Sequence, residues 1–265
     1  MTDLFVPRVG GVLSADIAVP EHEREVRFYS RVLGTGESPL WRDDLMNNLG
    51  MPVIGLGERN ADYAHLPLQW MPHIQVADVG ASVQRALELG GTELMFAKDD
   101  QGIGQWAVLQ DPNGAAFGII PVVAADAIPR TDAAPADGAT DRVGRIAWLD
   151  LTVADASTTR DFYSQVVGWL AQDVAMGKDD DPYADYNMLA GDGQPAAGVC
   201  HARGGNAGLP PVWLIYLPVG DMTESLVRVE AEGGTIIKAT RKKDGTYAYA
   251  VVQDPIGAYV ALVPG

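Results

Sequence analysis

Gln110-Asp111-Pro112-Asn113-Gly114-Ala115 returns 143 residues later as Gln253-Asp254-Pro255-Ile256-Gly257-Ala258. In each stretch proline fixes φ and glycine supplies the unusual φ of a tight turn. The pair therefore predicts a hairpin turn between two β-rich runs, 106–110 and 115–120 in the first copy. The same spacing relates Leu66-Pro67 to Leu209-Pro210, Trp70 to Trp213, Asp78 to Asp221 and Gly90-Gly91-Thr92 to Gly233-Gly234-Thr235. So long a run without a gap marks a duplicated domain.

Closer to the start of each copy the spacing is 134. It relates Arg8-Val9-Gly10 to Arg142-Val143-Gly144, Asp16 to Asp150, and Phe28-Tyr29-Ser30 to Phe162-Tyr163-Ser164. The second copy thus holds extra residues around Lys178-Asp179-Asp180-Asp181-Pro182-Tyr183, a polar, acidic stretch that predicts a longer loop or lid. Residues 122–141 are small, proline-rich and without apolar periodicity, as expected of a linker. The predicted organisation is a first domain over 1–121, a linker over 122–141 and a second domain over 142–265.

A finer rhythm divides each copy again. Strand-like runs end at Val19, Val76, Val153 and Val219, and each is followed 14 or 15 residues later by a glycine. Helical periodicity fills the gap, for example Val79, Val83 and Leu87. Asp78 and Asp221 suit N-caps; Gly90 and Gly233 suit the left-handed position that ends a helix. About three short strands then follow. The fold class is α+β, with four tandem βαβββ modules.

Composition narrows the function. The 265 residues are 47% hydrophobic and 20% charged, with a formal charge of −16. That excludes a disordered or collagen-like chain. So acidic a protein repels phosphate backbones and anionic lipid, so neither nucleic acid nor membrane is an expected partner. Cys200 is the only cysteine, which excludes an internal disulfide and a cysteine-based zinc cluster. The N-terminus lacks the basic and apolar regions of a signal peptide, and a cytoplasmic location is expected. There is no GxGxxG, P-loop or GxSxG motif. Duplication in one chain can replace a homodimer, so the chain is expected to be a monomer or a homodimer.

The paired βαβββ modules, the Phe-Tyr-x-x-Val-Leu-Gly helix end and the Asp-Pro-x-Gly hairpin resemble the vicinal oxygen chelate superfamily. Its members include glyoxalase I, extradiol dioxygenases and bleomycin-resistance proteins. The resemblance covers nearly the whole chain apart from the linker and implies two glyoxalase-like domains. In metal-dependent members two modules curl into a cup, and His or Glu ligands come from the first and last strands of each module. Here the first-strand positions fall on Ser14, Trp148, Met71 and Leu214, and the last-strand positions of the second modules on Gly118 and Ala261. The last strands of the first modules end near Glu58 and His201. A divalent metal needs three or four converging ligands. The expectation is no metal and no cofactor.

What remains is a set of aromatic and titratable residues. Asp16 shares a strand face with Ser14, and Asp150 with Trp148. A carboxylate aimed into a cavity is costly unless paired, hydrated or used, so Asp16 and Asp150 are candidate bases or hydrogen-bond anchors; pairing with Arg8 or Arg142 is the alternative. Tyr216 and His73 are their candidate catalytic partners. Ser14, Trp70, Trp106, Trp148, Trp213 and Tyr249 are candidate substrate-binding residues, since flat aromatic walls suit an apolar or aromatic small molecule. The leading expectation is a metal-independent glyoxalase-like protein that binds such a molecule, with lyase, isomerase or hydroxylase-type activity if it is an enzyme. The alternatives are a non-catalytic sequestering protein of the drug-resistance type, and a metal-dependent lyase or dioxygenase with atypical ligands.

Overall fold

A computed structural model describes residues 7–34, 40–41, 45–48, 51–124, 146–177 and 181–265. Most of the expected linker, Arg142-Val143-Gly144 and residues 178–180 of the expected lid lie outside this set.

Four βαβββ modules follow one another. The first is β1 (Val12–Val19), α1 (His22–Leu33), β2 (Leu40–Trp41), β3 (Leu45–Asn48) and β4 (Met51–Glu58). The second is β5 (Met71–Val76), α2 (Val79–Glu88), β6 (Thr92–Lys98), β7 (Gly104–Gln110) and β8 (Ala116–Pro121). The third is β9 (Trp148–Val153), α3 (Ala156–Val167), β10 (Leu170–Met176), β11 (Tyr183–Leu189) and β12 (Pro195–His201). The fourth is β13 (Trp213–Val219), α4 (Met222–Ala231), β14 (Thr235–Arg241), β15 (Tyr247–Gln253) and β16 (Tyr259–Pro264). Strands β1–β8 belong to one sheet and β9–β16 to the other. Within the modules the strand orders are β2-β3-β4-β1, β5-β8-β7-β6, β10-β11-β12-β9 and β13-β16-β15-β14. Each module therefore pairs its first strand parallel to its last, across the helical connection such a crossover needs.

Local chemistry sets the element ends. The carboxylates of Asp78, Asp155 and Asp221 accept the backbone N–H of Ala81, Thr158 and Glu224, satisfying one orphan donor at each helix start. Gly34 and Gly168 close α1 and α3 at φ of 67° and 79°, where a Cβ would be strained.

Two compact units emerge from the packing, and they do not follow the repeats: modules 2 and 3 form one, modules 1 and 4 the other. In the first unit α2 packs on α3; in the second α1 packs on α4. The same three-residue chain ties each unit together. The indole N–H of Trp70 donates to the Tyr29 hydroxyl at 3.1 Å, and that hydroxyl donates to Asp254 at 2.8 Å. In the other unit Trp213 donates to Tyr163 at 3.0 Å, and Tyr163 donates to Asp111 at 3.4 Å. The tyrosine of the Phe-Tyr motif in one copy thus serves the Asp-Pro turn of the other. All four aromatic residues are fully buried, with edge-to-face ring contacts of 5.3 Å for Tyr29–Trp70 and 5.2 Å for Tyr163–Trp213. Burial raises the carboxyl pKa of Asp111 and Asp254 above the ordinary value, against the backbone N–H groups of the turns, which pull it down.

Candidate functional site

Strand alternation gives each module two faces. On β1, Ala15, Ile17 and Val19 are fully buried on the side that carries the helix, while Ser14 and Asp16 are partly accessible on the other. The same split puts Leu149, Leu151 and Val153 opposite Trp148 and Asp150 on β9. It puts Ile74 and Val76 opposite His73 on β5, and Ile215, Leu217 and Val219 opposite Tyr216 on β13.

The parallel registers then reveal one arrangement four times. Asp16 lies across from Gly55, His73 from Gly118, Asp150 from Gly198 and Tyr216 from Ala261. Each first strand holds a polar side chain at this position, and each last strand answers with a residue of little or no side chain. At two of the glycines the facing side chain fills the space. A Cβ on Gly118 would come within 2.5 Å of the His73 ring, and a Cβ on Gly198 would collide with a carboxylate oxygen of Asp150. Asp150 also accepts the indole N–H of Trp148 at 2.7 Å, an internal fixture that orients both side chains.

The antiparallel registers extend two of these positions across their sheets. In module 4, Tyr216, Ala261, Val251 and Lys238 form a row on one face, one residue per strand. The equivalent row of module 2 is His73, Gly118, Val108 and Met95. Tyr249 stands beside the first row, with its ring 6.0 Å from that of Tyr216 and the Lys238 ammonium 5.6 Å from its centre. Trp106, the counterpart of Tyr249, is 40% exposed.

The expected site residues therefore separate. Asp16, His73, Asp150 and Tyr216 occupy equivalent positions in modules 1 to 4, with Ser14 and Trp148 on the faces of Asp16 and Asp150, and Tyr249 beside Tyr216. Trp70 and Trp213 are placed in the helix-side core, where each indole serves a buried tyrosine. Arg8 forms its ion pair with Asp192 at 2.8 Å rather than with Asp16. Sequence reasoning named Gly118 and Ala261 as last-strand positions but did not single out Lys238, Asp185, Gly55 or Gly198, whose places follow from the register. Asp185 is buried and accepts the backbone N–H of His201 at 2.7 Å. Desolvation by burial, then Asp150 and Asp185, push the Cys200 thiol far up, which removes it as a nucleophile at neutral pH.

The residues present do not fit the metal site of the metal-dependent relatives. By register the last-strand positions are Gly55, Gly118, Gly198 and Ala261, none of which can donate to a metal. Glu58 and His201 pair with Val19 and Val153, which lie on the opposite, helix-bearing face. Among the described residues no group of three His, Cys, Asp or Glu side chains is placed to hold a metal ion. No helix among them is long and apolar enough to cross a membrane.

Comparison with known proteins places this geometry in a family. Residues 14–120 match the glyoxalase-like domain, and residues 145–262 match the glyoxalase/bleomycin resistance protein/dioxygenase superfamily. The chain is 28% identical over 203 residues to CFP32 of Mycobacterium tuberculosis, named as a candidate glyoxylase; the match covers 75% of this chain and 70% of that one. It is 26% identical over 175 residues to the anthracycline biosynthesis protein DauV of a Streptomyces species, covering 66% and 58%. Among solved structures, a homoprotocatechuate 2,3-dioxygenase variant from B. fuscum shares the fold with a TM-score of 0.62 at 14% identity, covering 98% of this chain and 71% of that one. The 2,2',3-trihydroxybiphenyl 1,2-dioxygenase of Sphingomonas wittichii does so with a TM-score of 0.53 at 15% identity, covering 98% and 91%. With two family domains on tandem βαβββ modules, the chain belongs to the vicinal oxygen chelate superfamily as a two-domain glyoxalase-like protein.

Proposed function

We propose that this is a metal-independent member of the superfamily that binds an aromatic small molecule. The observation that carries the reading is the fourfold pairing of a polar first-strand residue with glycine or alanine on the last strand. Where metal-dependent relatives would need a donor, this chain offers glycine or alanine, and at Gly118 and Gly198 the facing side chain fills the space. The aromatic side chains on the same faces, Trp148, Tyr216 and Tyr249, supply flat apolar contact with polar edges, as small-molecule sites do. Relatives named for anthracycline biosynthesis are consistent with a ligand that contains aromatic rings.

In this reading Asp16 and Asp150 hold a ligand hydroxyl or take its proton, and His73 and Tyr216 are the corresponding groups in modules 2 and 4. A carboxylate or imidazole can move a proton near neutral pH without metal assistance. The test is non-denaturing mass spectrometry of untagged protein, purified without chelators. The expected mass is that of the bare chain or of the chain plus an organic molecule. A stoichiometric transition metal that a chelator removes overturns the reading. Turnover is read separately: Asp16→Asn with Asp150→Asn loses at least about 100-fold in rate if these groups act as bases. Full retention of rate removes them from that role. Stoichiometric protection from a ligand with no product formed would identify a sequestering protein instead.

A further inference from the structure

We propose that the face of module 4 selects aromatic carboxylates, with Lys238 as the residue that sets this preference. The inference rests on the aromatic-ligand reading above and names the class of ligand within it.

The argument is a comparison of two equivalent rows. Module 2 presents His73, Gly118, Val108 and Met95; module 4 presents Tyr216, Ala261, Val251 and Lys238. Three of the four positions keep their general character: a polar ring, a very small residue, a valine. The fourth changes from a thioether to an ammonium. The charge is not isolated, because the strand that carries Lys238 ends in Arg241, whose guanidinium stacks 3.8 Å from the ring of Tyr247. Lys242 and Lys243 follow at the hairpin tip. Three of the chain's five lysines thus fall within six residues of a protein whose net charge is −16. Lys238, Arg241, Lys242 and Lys243, beside the single acid Asp244, give β14 and its hairpin tip a local excess of positive charge.

Aromatic side chains flank the charge. Tyr216, only 9% exposed, and the half-buried Tyr249 are inclined at 55° with ring centres 6.0 Å apart, so a third ring would lie chiefly against the Tyr249 side of the pair. The Lys238 ammonium stands over Tyr249, at the edge of that pair. A ring seated on the tyrosines with a carboxylate directed along β14 would meet both kinds of contact. Lysine acts here as a point charge, so carboxylates of differing geometry are accepted. Module 2 has an exposed Trp106 and Met95 at the corresponding places and would take an uncharged aromatic group.

The test compares two probes of one shape, 2-naphthoate and 2-naphthamide, titrated calorimetrically against the full chain and against Lys238→Met. Methionine is the residue the duplicate position already carries, and a thermal melt checks that the variant folds. For the parent chain naphthoate should bind about 10-fold or more tightly than the amide, with a difference that shrinks in high salt. In Lys238→Met the difference should fall below about threefold while the affinity for the amide is unchanged. Equal binding of both probes to the parent overturns the charge preference and leaves the aromatic-ligand reading standing. A preference that survives Lys238→Met overturns the assignment to Lys238. Binding of neither probe overturns this inference together with the reading beneath it.

Discussion

Glu25 is a buried residue whose cost can be measured directly. It lies fully buried on α1, and neither carboxylate oxygen has a hydrogen-bond partner. Burial first, then the nearby Asp254 carboxylate, push its pKa up to about 8. The equivalent residue of the other copy is Thr159, which instead accepts from the Asn113 amide at 3.0 Å. Because the folded-state pKa lies above the unfolded value, the folded chain keeps a proton that the unfolded chain releases between about pH 4.5 and 8. Stability is therefore greatest below this window and falls as pH rises through it, by up to a few kcal/mol at about 1.4 kcal/mol per pH unit. Glu25→Gln should raise the melting temperature at pH 8.5 and change it little at pH 5. An equal shift at both pH values would show that Glu25 titrates normally. None of this was legible in the sequence, where Glu25 reads as one more charge on an amphipathic helix.

Elements explain which expected residues moved out of the site. Trp213 and Tyr216 were both read as facing a cavity, yet they lie three residues apart on one strand, and an odd spacing puts them on opposite faces. The parity was available in the sequence. What was not available was the demand on the other side: a buried tyrosine hydroxyl on a helix that needs a donor. Tyr163→Phe removes that hydroxyl and leaves both the Trp213 N–H and a buried Asp111 short of a partner. A loss of about 2 kcal/mol is expected, read as a lower urea midpoint with an unchanged slope. Tyr29→Phe should cost as much or more, since its bond to Asp254 is shorter. A neutral result for both variants would mean that water replaces the hydroxyl. The Asp-Pro turns, the helix caps and the module rhythm were legible because each is written within a few adjacent residues. Of the four small residues facing Asp16, His73, Asp150 and Tyr216, Gly118 and Ala261 were legible through the family resemblance, whereas Gly55 and Gly198 were not, because register joins strands 39 to 48 positions apart.

At the scale of the whole molecule, covalent order and packing order differ. The repeats run module 1 to 2 and 3 to 4, whereas the helix contacts join 1 to 4 and 2 to 3. Cutting the peptide chain between the repeats should therefore not separate them. A site-specific protease sequence inserted within residues 125–141 gives the means. After cleavage the two fragments should co-elute on gel filtration under native conditions and separate in denaturant. Fragments that part without denaturant would show that the helix contacts contribute too little to hold the halves. The duplication was legible from the repeated motifs; the exchange of partners was not, because identical motifs in both copies satisfy either pairing.

The exchanged Trp–Tyr–Asp chains also bear on how such a duplicated gene can change with time. A substitution at Tyr29 is felt first by Asp254, in the opposite copy, and one at Tyr163 by Asp111. Neither half can drift at these places without the other half's agreement, so the two copies are held in step there. At the far end of each row the copies have diverged, and a methionine stands in one where a lysine stands in the other. Duplication joined in this way frees the surfaces to acquire separate tasks while the framework beneath them evolves as a single gene.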